Sequence, residues 1–161
     1  MISHFFLKKL KSYLKKLVRE YQLYKYSKKY KCNLGDNLNF LGSLDNIQIG
    51  QNTTINGNAN FRFKDAKIII GSDCLIARNV TILTKSYLLD KKKISTKDMF
   101  AKNVYIGNNV LLGSNVIIMP GVVIGNYSAV GAGSVVTKNI DEFEIWAGVP
   151  AEFIRRRKIS E

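Results

Sequence analysis

The chain has 161 residues, 46% of them hydrophobic and 23% charged, with only two prolines; this suits one domain with a real core and excludes a disordered or collagen-like chain. Its formal net charge of +13 is uneven, because residues 1–32 hold ten lysines and arginines against the single acid Glu20. Two cysteines, Cys32 and Cys74, build neither a disulfide framework nor a zinc motif, and no run approaches the ~20 apolar residues of a membrane span.

Residues 1–32 read as a basic amphipathic helical arm. Leu7, Leu10, Leu14, Leu17, Tyr21 and Tyr24 recur at alternating steps of three and four, with lysine and arginine between them. Lysines interrupt every apolar run after Phe5-Phe6-Leu7, so no signal-peptide core forms. The expected location is the cytoplasm, in solution or at the inner face of the membrane. Two partners for the arm stand open: a short three-stranded coiled coil through its leucines, or anionic lipid under Phe5, Phe6, Tyr13 and Tyr21. Nucleic acid is not expected, since no known reading module is present.

From residue 33 to 141 a six-residue period organises the chain. Ile106, Leu112, Ile118, Ile124, Val130 and Val136 fall six apart, and Gly107, Gly113, Gly125 and Gly131 follow four of them. Small or β-branched residues (Val110, Val116, Val122, Ser128, Ser134) hold a second position four places on. Upstream, Ile70, Ile76 and Ile82 keep the period; Ile49, Ile55 and Phe61 keep it more weakly, from a start near Leu34 and Phe40. A helical period of 3.6 would scatter these residues around a cylinder, and simple alternation leaves no room for turns. A triangular prism satisfies the pattern, each hexapeptide being one short strand plus a turn, with three per coil. The expected class is all-β, a parallel β-helix, with Gly and Asn taking left-handed backbone angles in the turns.

Two interruptions stand out. The nine-residue step from Phe61 to Ile70 bulges at Lys64-Asp65-Ala66, and the long step from Ile82 to Ile106 predicts an excursion over residues 86–102. Residues 142–161 read as a connection and a short C-terminal helix opened by Pro150.

The run GAGSVVTK at 131–138, followed by AGVPAEFIRRR at 147–157, resembles the C-terminal signature of the hexapeptide-repeat acetyltransferases, the family of galactoside, maltose and polysaccharide O-acetyltransferases. That resemblance covers roughly residues 33–157. It implies a left-handed prism and a homotrimer with acetyl-CoA in the groove between neighbouring subunits. It places Gly113, Ser114 and Ala132 against the thioester and pantetheine arm, and Thr137, Lys138 and Arg155 toward the nucleotide. It implies a sugar or lipid-linked sugar acceptor, modified on a hydroxyl or amine in surface-polysaccharide biosynthesis. No metal is implied, for the carbonic anhydrases of this fold need three histidines and this chain has one.

The family also places a catalytic histidine just before the excursion, in a setting such as Thr-His-Ser-His. Here the stretch reads Val80-Thr81-Ile82-Leu83-Thr84-Lys85-Ser86-Tyr87, and the matching position is Lys85; the only histidine is His4. Three readings follow. The protein is a degenerate trimeric scaffold held to a membrane or partner by its arm; or its acceptor is an amine, which needs less help from a base; or another group serves. The substitutes are Lys85, crowded by Lys91, Lys92 and Lys93, or Asp90 or Asp98 of the excursion. An ordinary lysine, with a pKa of about 10.4, is a poor base at neutral pH unless desolvated or crowded by cations.

Overall fold

The computed structural model describes residues 4–158 other than 91, 94 and 96, and within its helix the side chains from Lys8 onward other than 12, 15 and 16. Helix α1 (His4–Tyr30) leads into a stack of short strands. The first coil holds β1 (Asn33–Leu34), β2 (Asn39–Leu41) and β3 (Ile47–Ile49); the second holds β4 (Thr54–Ile55), β5 (Asn60–Arg62) and β6 (Ile68–Ile70). The third runs through β7 (Leu75–Ile76) and β8 (Thr81–Leu83) into the hairpin β9 (Lys85–Tyr87) and β10 (Met99–Ala101), then returns as β11 (Val104–Ile106). The fourth is β12 (Leu111–Leu112), β13 (Ile117–Ile118) and β14 (Val123–Ile124). The fifth holds β15 (Ala129–Val130) and β16 (Val135–Val136), and closes where Ile140 bridges in parallel to Ile124. Two further strands end the chain, β17 (Glu144–Gly148) and β18 (Ala151–Arg156).

These strands stack into three parallel faces. The first runs β1-β4-β7-β12-β15-β17-β18, the second β2-β5-β8-β13-β16, and the third β3-β6-β11-β14. All six periodic aliphatic residues from Ile106 to Val136 are 2% exposed or less, so the period is the signature of the axis. Fully burying one such side chain is worth about 1.5–3 kcal/mol, which is what holds strands of two or three residues. The second inward position is equally buried, and where it is polar it is satisfied: Ser128 Oγ donates to Asp141 O at 2.7 Å and Ser134 Oγ to Gly131 O at 2.7 Å. Near the N-terminal end the core is aromatic. Phe40 stacks on Phe61 at 5.0 Å, and Phe63 meets Phe40 edge-on at 6.1 Å. Phe40 thus belongs to a full first coil, whose own nine-residue step to Ile49 the weak repeat had hidden.

Helix α1 closes the open end of the prism through its last third. Leu23 is buried there, and the Tyr26 hydroxyl donates to Ile47 O at 3.0 Å while accepting from Ile49 N at 3.1 Å. One phenol thereby satisfies two backbone groups on the edge strand β3. Burial pushes the Tyr26 phenol up to about 12.

Two expectations are corrected. The left-handed turn positions fall on Asn109 (φ 56°), Asn115 (φ 61°) and Tyr127 (φ 60°), not on the glycines after each aliphatic residue. Those glycines allow the coils to approach instead: a Cβ at Gly113 would lie 2.5 Å from Ala132 N, and one at Gly125 2.5 Å from Glu142 N. The C-terminal segment is a β-hairpin rather than a helix. β17 adds in parallel to β15, starting a sixth coil beyond residue 141, and β18 turns back antiparallel through a cis Val149–Pro150 bond. Local propensity is overridden here because β15 would otherwise end the face with unpaired backbone groups; Gly131 N reaches Trp146 O at 2.8 Å. The excursion over 86–102 is anchored as an antiparallel hairpin that pairs Lys85 with Ala101 and Tyr87 with Met99.

Candidate active site

The second face carries the residues singled out for donor binding, arranged at its two margins. At one corner, Gly113 and Ser114 precede β13 and Ala132 precedes β16, so they stack on successive coils. Gly113 N donates to Val130 O at 2.8 Å and Gly133 N to Ser114 O at 2.8 Å. With no side chain at Gly113 and only a methyl at Ala132, the corner is a low wall of small residues. Ile117 and Val135, registered side by side, form the half-buried surface beyond it. At the opposite corner Thr137 and Lys138 follow β16, both exposed.

Arg155 is not brought to that corner within one chain. It lies exposed on β18, registered with Ile145 at the far end of the first face. Its neighbour Arg157 is structural: Nη1 donates to Asn109 O at 3.1 Å and Tyr127 O at 3.2 Å, while Tyr127 stacks on Phe143 at 4.9 Å.

Lys85 leaves the end of β8, opens the hairpin, and donates from Nζ to Asp65 Oδ2. This hydrogen bond holds the Asp65 carboxyl below the usual carboxylate range. The predicted bulge at Lys64-Asp65-Ala66 is therefore the seat of the hairpin's counter-ion, a partnership sequence reasoning missed. A signal existed: the first two coils repeat every 21 residues (Asn33 on Thr54, Phe61 on Ile82), which sets Lys85 over Lys64 beside Asp65. On the other side Lys102 lies over the turn of Gly121, where a Cβ would meet Lys102 Cδ at 2.9 Å.

Around Lys85 opens a cleft of about 410 Å³. Leu41, Leu83, Tyr87 and Met99 give it an apolar floor, and Arg62, Lys64 and Lys85 supply its charge. Arg62, which sequence reasoning passed over, is the outward residue of β5. Of the substitutes considered for the base, Asp90 is exposed in the hairpin and Asp98 accepts from Leu88 N through its backbone carbonyl at 2.9 Å. Lys91, and the side chains of His4, Phe5 and Phe6, lie outside the described residues. Both thiols are buried, and burial pushes Cys32 and Cys74 up, away from nucleophilic use.

Known proteins share this architecture. Residues 103–138 match the family described as bacterial transferase hexapeptide (six repeats). Galactoside O-acetyltransferase of Escherichia coli is 42% identical over 110 residues, 68% of this chain and 54% of that protein. The chain spans about half the length of the curated relatives it matches. A hexapeptide-repeat acetyltransferase of Vibrio cholerae, crystallised with acetyl coenzyme A, superposes with a TM-score of 0.78 at 29% identity, covering 87% of this chain and 79% of that one. A maltose O-acetyltransferase of Clostridium difficile gives 0.68 at 34% identity, covering 80% and 67%. A prism of hexapeptide coils, with an excursion at one corner and a small-residue wall at the opposite margin of the same face, defines the class. The chain belongs to the hexapeptide-repeat acetyltransferase family, and its parallel β-helix is the left-handed one.

Proposed function

We propose that this protein transfers an acetyl group from acetyl-CoA to a hydroxyl or amine of a saccharide, as a homotrimer whose donor groove lies between neighbouring subunits. The observation that carries this reading is the second face, bounded by the low wall of Gly113, Ser114 and Ala132 at one margin and by Lys85 with its hairpin at the other. Related proteins with acetyl-CoA or CoA bound support the donor. Thr137 and Lys138 suit its phosphates, and Arg155 serves them from the adjoining subunit.

In the reaction the acceptor oxygen or nitrogen attacks the thioester carbonyl carbon, a new C–O or C–N bond forms, and the C–S bond breaks. The proton lost by the acceptor ends on the departing sulfur, giving CoA-SH. Lys85, an ammonium donating to Asp65, has no lone pair with which to act as the family's base. Its role is to stabilise the oxyanion that develops on the carbonyl, while the acceptor's proton passes through solvent to the departing thiolate. Absence of a general base costs ~10²–10⁴ in rate, so hydroxyl acceptors turn over slowly and neutral amines less so. A second reading, a donor-binding scaffold without turnover, is favoured by the same ion pair. Acetyl-CoA binding together with CoA-thiol release, followed over hydroxyl and amine sugars, separates the two. Binding with no thiol released by any acceptor leaves the scaffold; no binding removes both.

We further propose that α1 meets anionic lipid, at the inner face of the membrane in a cytoplasmic setting. Leu10, Leu14, Leu17, Tyr21 and Tyr24 are all exposed, and at ~100° per residue they centre about 140° around the helix from Leu23, the residue buried against the prism. The stripe is therefore exposed, though Leu14 and Tyr24 border hollows against the prism, and Lys25 and Lys28 lie within or beside it. Each such cation adds ~1 kcal/mol near an anionic surface. No described helix is long and apolar enough to cross a membrane, so contact is lateral. A lipid-linked acceptor in polysaccharide assembly suits that placement.

A further inference from the structure

The charge of the cleft beside Lys85 is one-sided. Arg62 reaches it from β5, Lys64 from the bulge after β5, and Lys85 from the start of β9; among the described residues no carboxylate lines it. The nearest acid, Asp65, faces an adjoining hollow with Asn46, Gln48 and Asn103, and its charge is engaged by Lys85. Among the described residues Arg62 has no ion-pair partner and is exposed; Lys64, also exposed, lies in the field of Asp65, whose carboxyl it helps to hold down. Leu41 and Leu83 flank Arg62 in the same ladder, and Tyr87 and Met99 of the hairpin add to them, an apolar surface with one aromatic ring on which the C–H face of a sugar ring can rest.

We propose that this cleft receives an anionic saccharide: Arg62 and Lys64 hold a carboxylate or phosphate on the acceptor while its ring lies against Tyr87 and Leu83. This rests on the acetyl-transfer reading and adds the acceptor's charge to it. Arg62 is the stronger discriminator, since its planar guanidinium pairs bidentately with either anion, whereas Lys64 acts as a point charge.

The test uses the full chain with acetyl-CoA and three matched acceptors, glucose, glucuronate and glucose 6-phosphate, followed by CoA-thiol release at low ionic strength. The expected result is a kcat/KM at least ~10-fold higher for one or both anions than for glucose, shrinking in about 0.5 M NaCl, where screening shortens the reach of charge. Preference for glucuronate or for glucose 6-phosphate identifies which anion the cleft takes. Arg62→Gln should remove most of that advantage and Lys64→Gln part of it, with melting temperature confirming that both variants fold. Equal rates for the three acceptors, or an advantage that survives both substitutions, overturns the proposal. If no acceptor is acetylated, the transfer reading fails on its own, and recognition is read from saturation-transfer NMR of the same sugars. Binding of an anionic sugar, but not glucose, that Arg62→Gln abolishes then upholds the recognition. No anion-selective binding overturns it.

Discussion

Tyr26→Phe tests how the helix is fixed to the prism. The substitution keeps the ring and removes one oxygen, which donates to Ile47 O at 3.0 Å and accepts from Ile49 N at 3.1 Å. Two hydrogen bonds at about 0.5–1.5 kcal/mol each give a loss of about 1–3 kcal/mol. Burial, which disfavours the phenolate, pushes this phenol from the ordinary 10.0 up to about 12, and that sets the pH range over which the comparison changes. The folded-state value is raised, so the neutral phenol's contribution is fully present below pH 10 and is lost as pH climbs toward 12. Urea unfolding of both proteins should therefore show a gap of about 1–3 kcal/mol at pH 8 that closes between pH 10 and 12. Hydrogen exchange at the Ile49 amide should quicken about tenfold in Tyr26→Phe at pH 7. A variant as stable as the parent, or a gap that is constant from pH 8 to 12, refutes the bridging role assigned to this hydroxyl.

Three further outcomes are expected. Gly113→Ala should lose about 1–3 kcal/mol in thermal unfolding, because its Cβ meets Ala132 backbone at 2.5 Å; Gly133→Ala, with open space but φ 73°, should lose only about 1 kcal/mol. Lys85→His, by restoring a base, should raise acetyl transfer to a hydroxyl acceptor by ~10²-fold in a thiol-release assay, and no gain would deny Lys85 its place at the reacting centre. Leu14→Glu with Leu17→Glu should abolish co-sedimentation with vesicles of phosphatidylcholine and phosphatidylserine while gel filtration still reports the parent's oligomeric state. If the oligomer dissociates instead, the stripe is a coiled-coil seam.

Much of the molecule was legible in order of residue. Ile106 through Val136 announce an axis because every sixth side chain must point inward, and the hairpin at 85–101 announces itself as the place where that demand lapses. That Gly113, Ser114 and Ala132 stack at one corner was legible for the same reason, since they hold fixed places in the repeat, while a role toward a donor was only what the resemblance implied. Other features depend on what lies one coil away. The glycines look like turn residues in a linear reading, yet the turn angle is taken by Asn109 and Asn115 while the glycines make room for the next coil. Pro150 reads locally as a helix start, and only the open edge of β15 explains why β17 and β18 form there instead.

By itself the sequence determined the prism, the site of its excursion and the amphipathic arm, because each is a periodic pattern of burial that residues near in sequence impose on one another. Only the tertiary structure decided that Lys85 belongs to Asp65, that Arg62 and Lys64 share its cleft, and that Leu10, Leu14 and Leu17 of α1 are exposed while Leu23 is buried. Those relations join residues on different coils, and which residues meet depends on the exact length of every coil between them, so one added residue would have chosen other partners.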